Sequence, residues 1–351
     1  MIQMSKYDLK LVAIVGHFGF GLNLLNGQTI KTKIVTDALK DRIGNDNIIT
    51  FDTHGGLKAY AKLPFRLWSA LKQSRNIVFF PAHNGLKVIA PMLLLFNRVF
   101  HRRLHYVVIG GWLPQMCRKT MWLSNTLKKL DHIYVETNTM KKRLADIGFN
   151  NIIVMPNFKK LIPLTEEQLV YQYSEPYKLC TFSRVMKEKG IGDAIDSVTF
   201  VNNYYGRTVY CLDIYGQIEA GQEAWFDAQR SKFSHYINYC GIVPFDQSVD
   251  VLRQYHALLF PTHFFTEGIP GTILDSYAAG VPVICPRWEN FNDIVEDGKT
   301  GIGYDFGSNE ELKNVLLENI GSDRVNRMKK NCLKMANNYM PSKIVDLIAL
   351  E

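Results

Sequence analysis

The 351-residue sequence predicts an α/β protein of two domains, each a parallel sheet covered by helices, and three observations carry that expectation. A single hydrophobic core stops growing near ~250–300 residues, so a chain of this size divides in two. Apolar strand-like runs alternate with glycine-punctuated loops and helical stretches, the pattern of parallel sheets covered by helices on both faces. The charge is also split: residues 1–160 hold 24 Lys and Arg against 8 Asp and Glu, and the remainder holds 17 against 25, within a net charge of +8.

LKLVAIVG (Leu9–Gly16) reads as a buried first strand, and its loop GHFGFGLNLLNGQT leads into a helix from about Thr29 to Lys40. Asn47–Asp52, Asn76–Gly85, Leu104–Trp112 and His132–Thr137 read as further strands. Their ends matter because ligands of open parallel sheets bind outside the carboxyl ends of the strands. A second series runs through Tyr177–Arg184, Thr208–Gly216, Ile237–Val243, His256–Thr262 and Val281–Pro286. Between the two, Asn157–Lys178 mixes two prolines with both charge signs and keeps no period, which marks a linker. The expected division is a first domain over 1–160, a linker over 161–176 and a second domain over 177–339. Residues 340–351 carry Ile344, Val345, Leu347 and Ile348 at helical spacing and are expected to form a terminal helix crossing back to the first domain.

The six cysteines form no CxxC, which removes zinc-ribbon and thioredoxin readings and fits buried, reduced thiols in a cytoplasmic chain. Leu11–Val15 is too short for a signal-peptide core, and Val88–Phe100 contains Pro91, Asn97 and Arg98, short of the ~20 apolar residues that span a bilayer. Lys58–Arg75, Leu93–His105 and Arg118–Leu130 mix cations with Trp, Phe and Leu at helical spacing. Two readings stay open for them: docking on an anionic inner leaflet, or ordinary helices with cations outward. Nucleic acid is disfavoured because no helix-turn-helix, zinc or aromatic-sheet motif accompanies the charge. Gly16, Gly19 and Gly21 do not have the GxGxxG spacing, which weakens a dehydrogenase reading.

The most informative stretch is TEGIPGTILDSYAAGVPVI, Thr266–Ile284. Pro270 and Gly271 open a helix whose first-turn amides lack intrahelical acceptors, Gly268 lets the backbone approach a ligand, and Glu267 precedes this anion-sized socket. A plainer reading is a helix-start acid at 267 and a surface acid at Asp275. Taken whole, Glu267-Gly-Ile-Pro-Gly-Thr-Ile-Leu-Asp275 followed by Ala278-Ala-Gly-Val-Pro282 resembles the signature of glycosyltransferase family 4. SRVMKEKG (Ser183–Gly190), LDIYGQ (Leu212–Gln217), Asn238–Gly268 and Trp288–Asp305 are similar to further segments of that family.

The resemblance implies the GT-B fold, two Rossmann-like domains facing across a cleft. It also implies a nucleotide-diphosphate sugar as co-substrate, an acceptor hydroxyl and retention of anomeric configuration. It places Arg184 and Lys189 on the donor diphosphate, and Glu267 with Gly268, Ile269, Pro270, Gly271 and Thr272 on the sugar and phosphate. Asp275 falls on the ribose, one methylene shorter than the usual glutamate, and Gly241, Ile242 and Val243 fall beside the base. LNLLNGQTIKT is similar to the family's glycine loop, which implies donor contacts at Asn26, Gly27 and Gln28, with Thr29 as helix N-cap. Where many members carry a histidine near the donor sugar, this chain has Gly110, Gly111 and Trp112.

His83, Asn84 and Trp112 are candidate acceptor contacts, and His17 and His54 are vaguer ones. No two aspartates stand two positions apart, so an Asp-x-Asp metal motif is missing and no metal or cofactor is expected. Fixed cations and helix N-termini would instead neutralise the departing diphosphate. The expected protein is a metal-independent transferase of bacterial surface polysaccharide or glycolipid synthesis, acting on a saccharide or lipid-linked saccharide and able to touch an anionic membrane. The alternatives are a sugar-nucleotide 2-epimerase of the same fold and a non-catalytic binder of nucleotide sugar or lipid.

Overall fold

The computed structural model describes residues 9–22, 27–321 and 323–350. The chain forms two compact units: unit 1 comprises Met1–Phe158 and Pro341–Glu351, and unit 2 comprises Lys159–Met340.

Unit 1 is built on a sheet of β1 (Lys10–Gly16), β2 (Ile48–Asp52), β3 (Ser74–Phe79), β4 (Arg103–Val107), β5 (His132–Val135) and β6 (Ile152–Val154). The order is β2-β1-β3-β4-β5-β6, and every pairing is parallel, with Val12 opposite both Ile48 and Asn76. Val12, Ala13 and Ile14 are wholly buried, as a central strand covered on both faces requires. The connections are α1 (Gly27–Ile43), α2 (Gly56–Gln73), α3 (His83–Phe100), α4 (Leu113–Lys119), α5 (Met121–Leu127) and α6 (Asn138–Ala145).

Unit 2 repeats the plan with β7 (Tyr177–Phe182), β8 (Tyr210–Tyr215), β9 (Ile237–Gly241), β10 (Ala257–Leu259), β11 (Val283–Pro286) and β12 (Gly301–Tyr304). The order is β12-β11-β10-β7-β8-β9, again parallel throughout. Its helices are α7 (Ile191–Tyr205), α8 (Glu223–Arg230), α9 (Ser248–Leu252), α10 (Gly271–Ala278), α11 (Asn309–Glu318) and α12 (Arg324–Ala336). The chain reverses direction across the sheet between β1 and β3 in unit 1 and between β7 and β10 in unit 2. Connections leave to opposite sides there and open a crevice at the carboxyl ends of the strands, the place where such sheets bind ligands.

The structure departs from the sequence reading at several points. The segment over 161–176 packs into unit 2 as part of its body: the Leu164 amide donates to the Ala278 carbonyl at 2.9 Å, and the Gln172 amide to Asn326 Oδ1 at 3.3 Å. The expected terminal helix is a single turn, α13 (Pro341–Ile344), followed by a 3₁₀ turn over Val345–Leu347. This tail belongs to unit 1, where Arg42 donates to the carbonyls of Val345 and Ile348 at 3.0 and 3.1 Å. Helix α1 starts at Gly27, so Thr29 lies inside its first turn and is not the N-cap. His83 and Asn84 open α3, beyond the strand end where they were expected.

Candidate functional site

In unit 2, β7 runs through a 3₁₀ turn at Lys187–Lys189 into Gly190 and α7. Gly190 has φ +69°, and a Cβ there would lie 1.9 Å from the carbonyl oxygen of Pro261, just past β10. Only glycine lets the two loops of the crevice touch at this point. The contact brings Lys189 Nζ within 2.6 Å of Glu267 Oε2. Thr262 Oγ1 donates to the same oxygen at 3.3 Å, and Asn290 Nδ2 donates to the Glu267 backbone carbonyl at 2.6 Å. The ammonium also stands 5.2 and 5.1 Å from the ring centroids of Phe260 and Phe264. With side chains only 12% and 20% exposed, the two charges meet in a partly dry corner where their fields are weakly screened. Arg184 is directed elsewhere: its guanidinium pairs with Glu219 at 2.7 Å and is half exposed.

The sequence motif opens a helix at the residues expected to start it. Pro270 is extended and caps α10, Gly271 is its first residue, and Gly268 and Ile269 are buried beneath it. Thr272 Oγ1 is buried without a hydrogen-bond partner among the described residues. Asp275 is fully engaged within unit 2, its two oxygens each 2.6 Å from Lys159 Nζ, and Ser248 Oγ donates to it at 3.0 Å. Lys159 in turn lies over the Phe245 ring at 4.4 Å. Burial pushes the Asp275 carboxyl up, and Lys159 and Ser248 offset part of that rise. Gly241 ends the edge strand β9 with φ +74°, Ile242 is exposed and Val243 is half-buried.

In unit 1, Gly27 is exposed, and a Cβ there would meet nothing within 4 Å; Asn26 lies outside the described residues. Gln28 Nε2 donates to the Phe80 carbonyl at 3.0 Å, which ties the start of α1 to the loop after β3, across the crevice position of this sheet. The His83 ring stacks on Trp112 with centroids 3.8 Å apart and planes at 25°, so two of the acceptor candidates meet from the starts of α3 and α4, the helices that follow β3 and β4. Trp112 Nε1 is fixed on the Ile109 carbonyl at 2.7 Å. Desolvation, and then Lys87, lower the His83 pKa below the usual imidazole value. Asn84 is exposed beside this pair. The sequence pointed to none of Lys159, Ser248, Thr262, Asn290 or Glu219. Each is a lone polar residue brought in by the fold, although Thr262 and Asn290 flank the Glu267 motif on either side.

Residues 176–320 match the family described as Glycosyl transferases group 1. The α-monoglucosyldiacylglycerol synthase of Acholeplasma laidlawii is 30% identical over 136 residues, 38% of this chain, and the match spans 32% of that relative's length. Among solved structures, Anabaena HepE in complex with UDP superposes with a TM-score of 0.74 at 13% identity over 96% of this chain and 98% of that one. The apo lipopolysaccharide outer core galactosyltransferase WaaB gives 0.66 at 14% identity, covering 96% of this chain and 97% of that one. At such identities the likeness to the structures is one of fold. The two six-stranded parallel sheets are therefore those of the GT-B architecture, and residues 176–320, most of unit 2, match the Glycosyl transferases group 1 description.

Proposed function

We propose that the protein is a glycosyltransferase moving a sugar from a nucleotide-diphosphate donor, bound by unit 2, to an acceptor hydroxyl presented by unit 1. The observation that carries this reading is the Lys189–Glu267 pair at the β7/β10 crevice, within the family-matched segment. Lys189 supplies a fixed cation for the diphosphate, with Arg184 joining once it exchanges Glu219 for phosphate. Glu267 and the amides from Gly268 to Thr272 hold sugar hydroxyls and phosphate. Asp275 reaches a ribose hydroxyl by sharing its carboxylate with Lys159. The substitution proceeds on one face of the sugar: the bond from C1 to the diphosphate breaks with its electron pair on phosphate, the acceptor oxygen bonds to C1, and the leaving diphosphate takes the acceptor proton. Fixed cations and the α10 N-terminus stabilise the charge that develops. UDP in HepE, and the glycolipid and lipopolysaccharide names of two relatives, support a uridine nucleotide and an acceptor of surface glycan or glycolipid synthesis.

Lys189→Ala and Arg184→Ala are expected to lower kcat/KM by about 10²- to 10³-fold, the effect of removing one charge-stabilising group, with the circular dichroism spectrum unchanged. Turnover near wild type in either folded variant refutes the role of that cation. UDP should raise the unfolding temperature of the wild type through unit 2, because a ligand bound only by the native state stabilises it.

We further propose that unit 1 rests on an anionic membrane through α2, α3 and α5. Helix α2 packs on α3 and α3 on α5, and the three leave Phe65, Leu95, Val99, Met121 and Trp122 exposed among the cations of the basic half. Among the described residues no helix is long and apolar enough to cross a membrane, so the contact is peripheral.

A further inference from the structure

His17 and His54 form a hydrogen-bonded pair that the donor chemistry does not use. His17 is the first residue after β1, and His54 follows β2, so both stand at the carboxyl edge of the unit 1 sheet. His17 Nδ1 lies 2.8 Å from Thr29 Oγ1, and His17 Nε2 lies 2.9 Å from His54 Nδ1, with the rings at 83°. Beneath them the Asp52 carboxylate accepts from the amides of Phe18, His54 and Phe20 at 2.9, 2.8 and 3.3 Å, and the Arg66 guanidinium donates to the Asp52 carbonyl. These hydrogen bonds hold the Asp52 carboxyl below the usual carboxylate range against the opposing effect of burial. Among the described residues His54 Nε2 has no partner, so the chain of hydrogen bonds from Thr29 ends there.

We infer that His54 Nε2, oriented through His17 and Thr29, binds a neutral hydroxyl of a sugar or polyol acceptor and discriminates against an anionic group. A bond between two imidazole nitrogens needs one N–H and one lone pair, so the two rings are not both cationic at this distance. Desolvation, and then His54, lower the His17 pKa, which favours the neutral form of the His17 ring. A threonine hydroxyl both donates and accepts, so two proton orders are chemically possible along Thr29, His17 and His54. With His17 donating to Thr29, a lone pair emerges at His54 Nε2; with Thr29 donating, an N–H emerges. A hydroxyl matches both states, being itself donor and acceptor. A phosphate or carboxylate matches only the N–H state and meets the fixed negative charge of Asp52. The charged groups facing the pair among the described residues are Asp52 and Arg66, and Arg66 is turned onto a backbone carbonyl.

The inference rests on the acceptor role of unit 1, but it is tested on that unit without donor or turnover. Long-range ¹H–¹⁵N spectra of the imidazoles of the full chain, assigned with His17→Gln and His54→Gln, are recorded at pH 7.5 with octyl β-glucoside below its micelle concentration or with the same concentration of inorganic phosphate. The glucoside should shift the His17 and His54 signals while phosphate leaves them in place. His54→Gln, which keeps a hydrogen-bonding amide, should retain glucoside binding within about threefold, and His54→Ala should lose it at least tenfold. Phosphate shifting the pair, or neither ligand moving it, overturns the inference. An inactive wild type, or full turnover in Lys189→Ala, would instead fault the transferase reading and leave these spectra unaffected.

Discussion

At the residue scale Asp275 in unit 2 is a carboxylate 3% exposed whose charge is met by one ammonium. Breaking such a pair from one side strands a buried charge, typically at 3–5 kcal/mol, whereas replacing both partners by apolar groups is near neutral. Lys159→Ala should therefore lower the urea midpoint of unit 2 by an amount equivalent to about 3–5 kcal/mol, and Lys159→Met with Asp275→Leu should recover most of it. Equal losses in the single and double variants would mean that the pair contributes nothing beyond packing. This site also marks how far the sequence reaches. The Glu267 to Asp275 spacing and its socket are local and could be read directly. The partner of Asp275 is 116 positions away in a stretch that looked like a linker, and no pattern of period two or 3.6 connects the two. Arg184 illustrates the same limit. Its place after β7 was legible, but its pairing with Glu219 follows from how the next loop folds back, with the Glu219 amide on the Val185 carbonyl at 3.0 Å.

At the scale of elements, the strands read most clearly were those buried on both faces, since a parallel strand under helices is a continuous apolar run. Strand β12, Gly301–Tyr304, was not read as a strand because glycine ordinarily marks a loop. A Cβ at Gly301 would lie 2.4 Å from the Val283 carbonyl oxygen, so its glycine serves close strand packing. The start of α1 was misplaced by two residues because Thr29, a good capping residue by type, spends its hydroxyl on His17. Gly190, at the junction of β7 and α7, is the element on which the Lys189–Glu267 contact depends. Gly190→Ala combines a left-handed backbone with a clash on Pro261. It should cost at least about 1–3 kcal/mol from the backbone alone and part Lys189 from Glu267, so UDP-induced stabilisation falls with the melting temperature. Gly206→Ala, at φ +62° with nothing within 4 Å of its Cβ, carries the backbone penalty without the clash; equal effects of the two would remove the packing argument. The α2, α3 and α5 surface is tested by sedimentation with vesicles containing phosphatidylserine. Binding should be strong at low salt, weaken as salt rises, and fall in Phe65→Ser with Trp122→Ser, since each nearby cation adds about 1 kcal/mol and the rings add apolar burial. No sedimentation at low salt removes the membrane proposal.

At the scale of the whole molecule each unit holds one buried histidine whose pKa lies far below the usual imidazole value, and both contribute to how stability responds to acid. In unit 1, His105 is wholly buried between Tyr134 Oη and Asn76 Oδ1, each at 3.1 Å, and desolvation, with His132 and other neighbours, lowers its pKa to about 4. In unit 2, His256 is 2% exposed against the Tyr177 ring, and desolvation with nearby Lys329 lowers its pKa to about 3. An unfolded histidine takes its proton near pH 6.5. Below that pH the unfolded chain binds more protons than the native one, so stability is full above about pH 6.5 and declines as the pH falls toward each folded value. Each unit of displacement is worth 1.36 kcal/mol, so His105 should remove about 2 kcal/mol from unit 1 by pH 5 and about 3 kcal/mol by pH 4, with His256 acting comparably on unit 2. Between pH 7 and 5 most carboxylates remain ionised, which leaves this window to the histidines. Urea unfolding at pH 7.0, 6.0 and 5.0 should show both transitions weakening. His105→Gln should flatten only the transition of unit 1, and His256→Gln only that of unit 2. Transitions independent of pH in the wild type, or unchanged slopes in both variants, would mean that neither ring resists protonation in the fold.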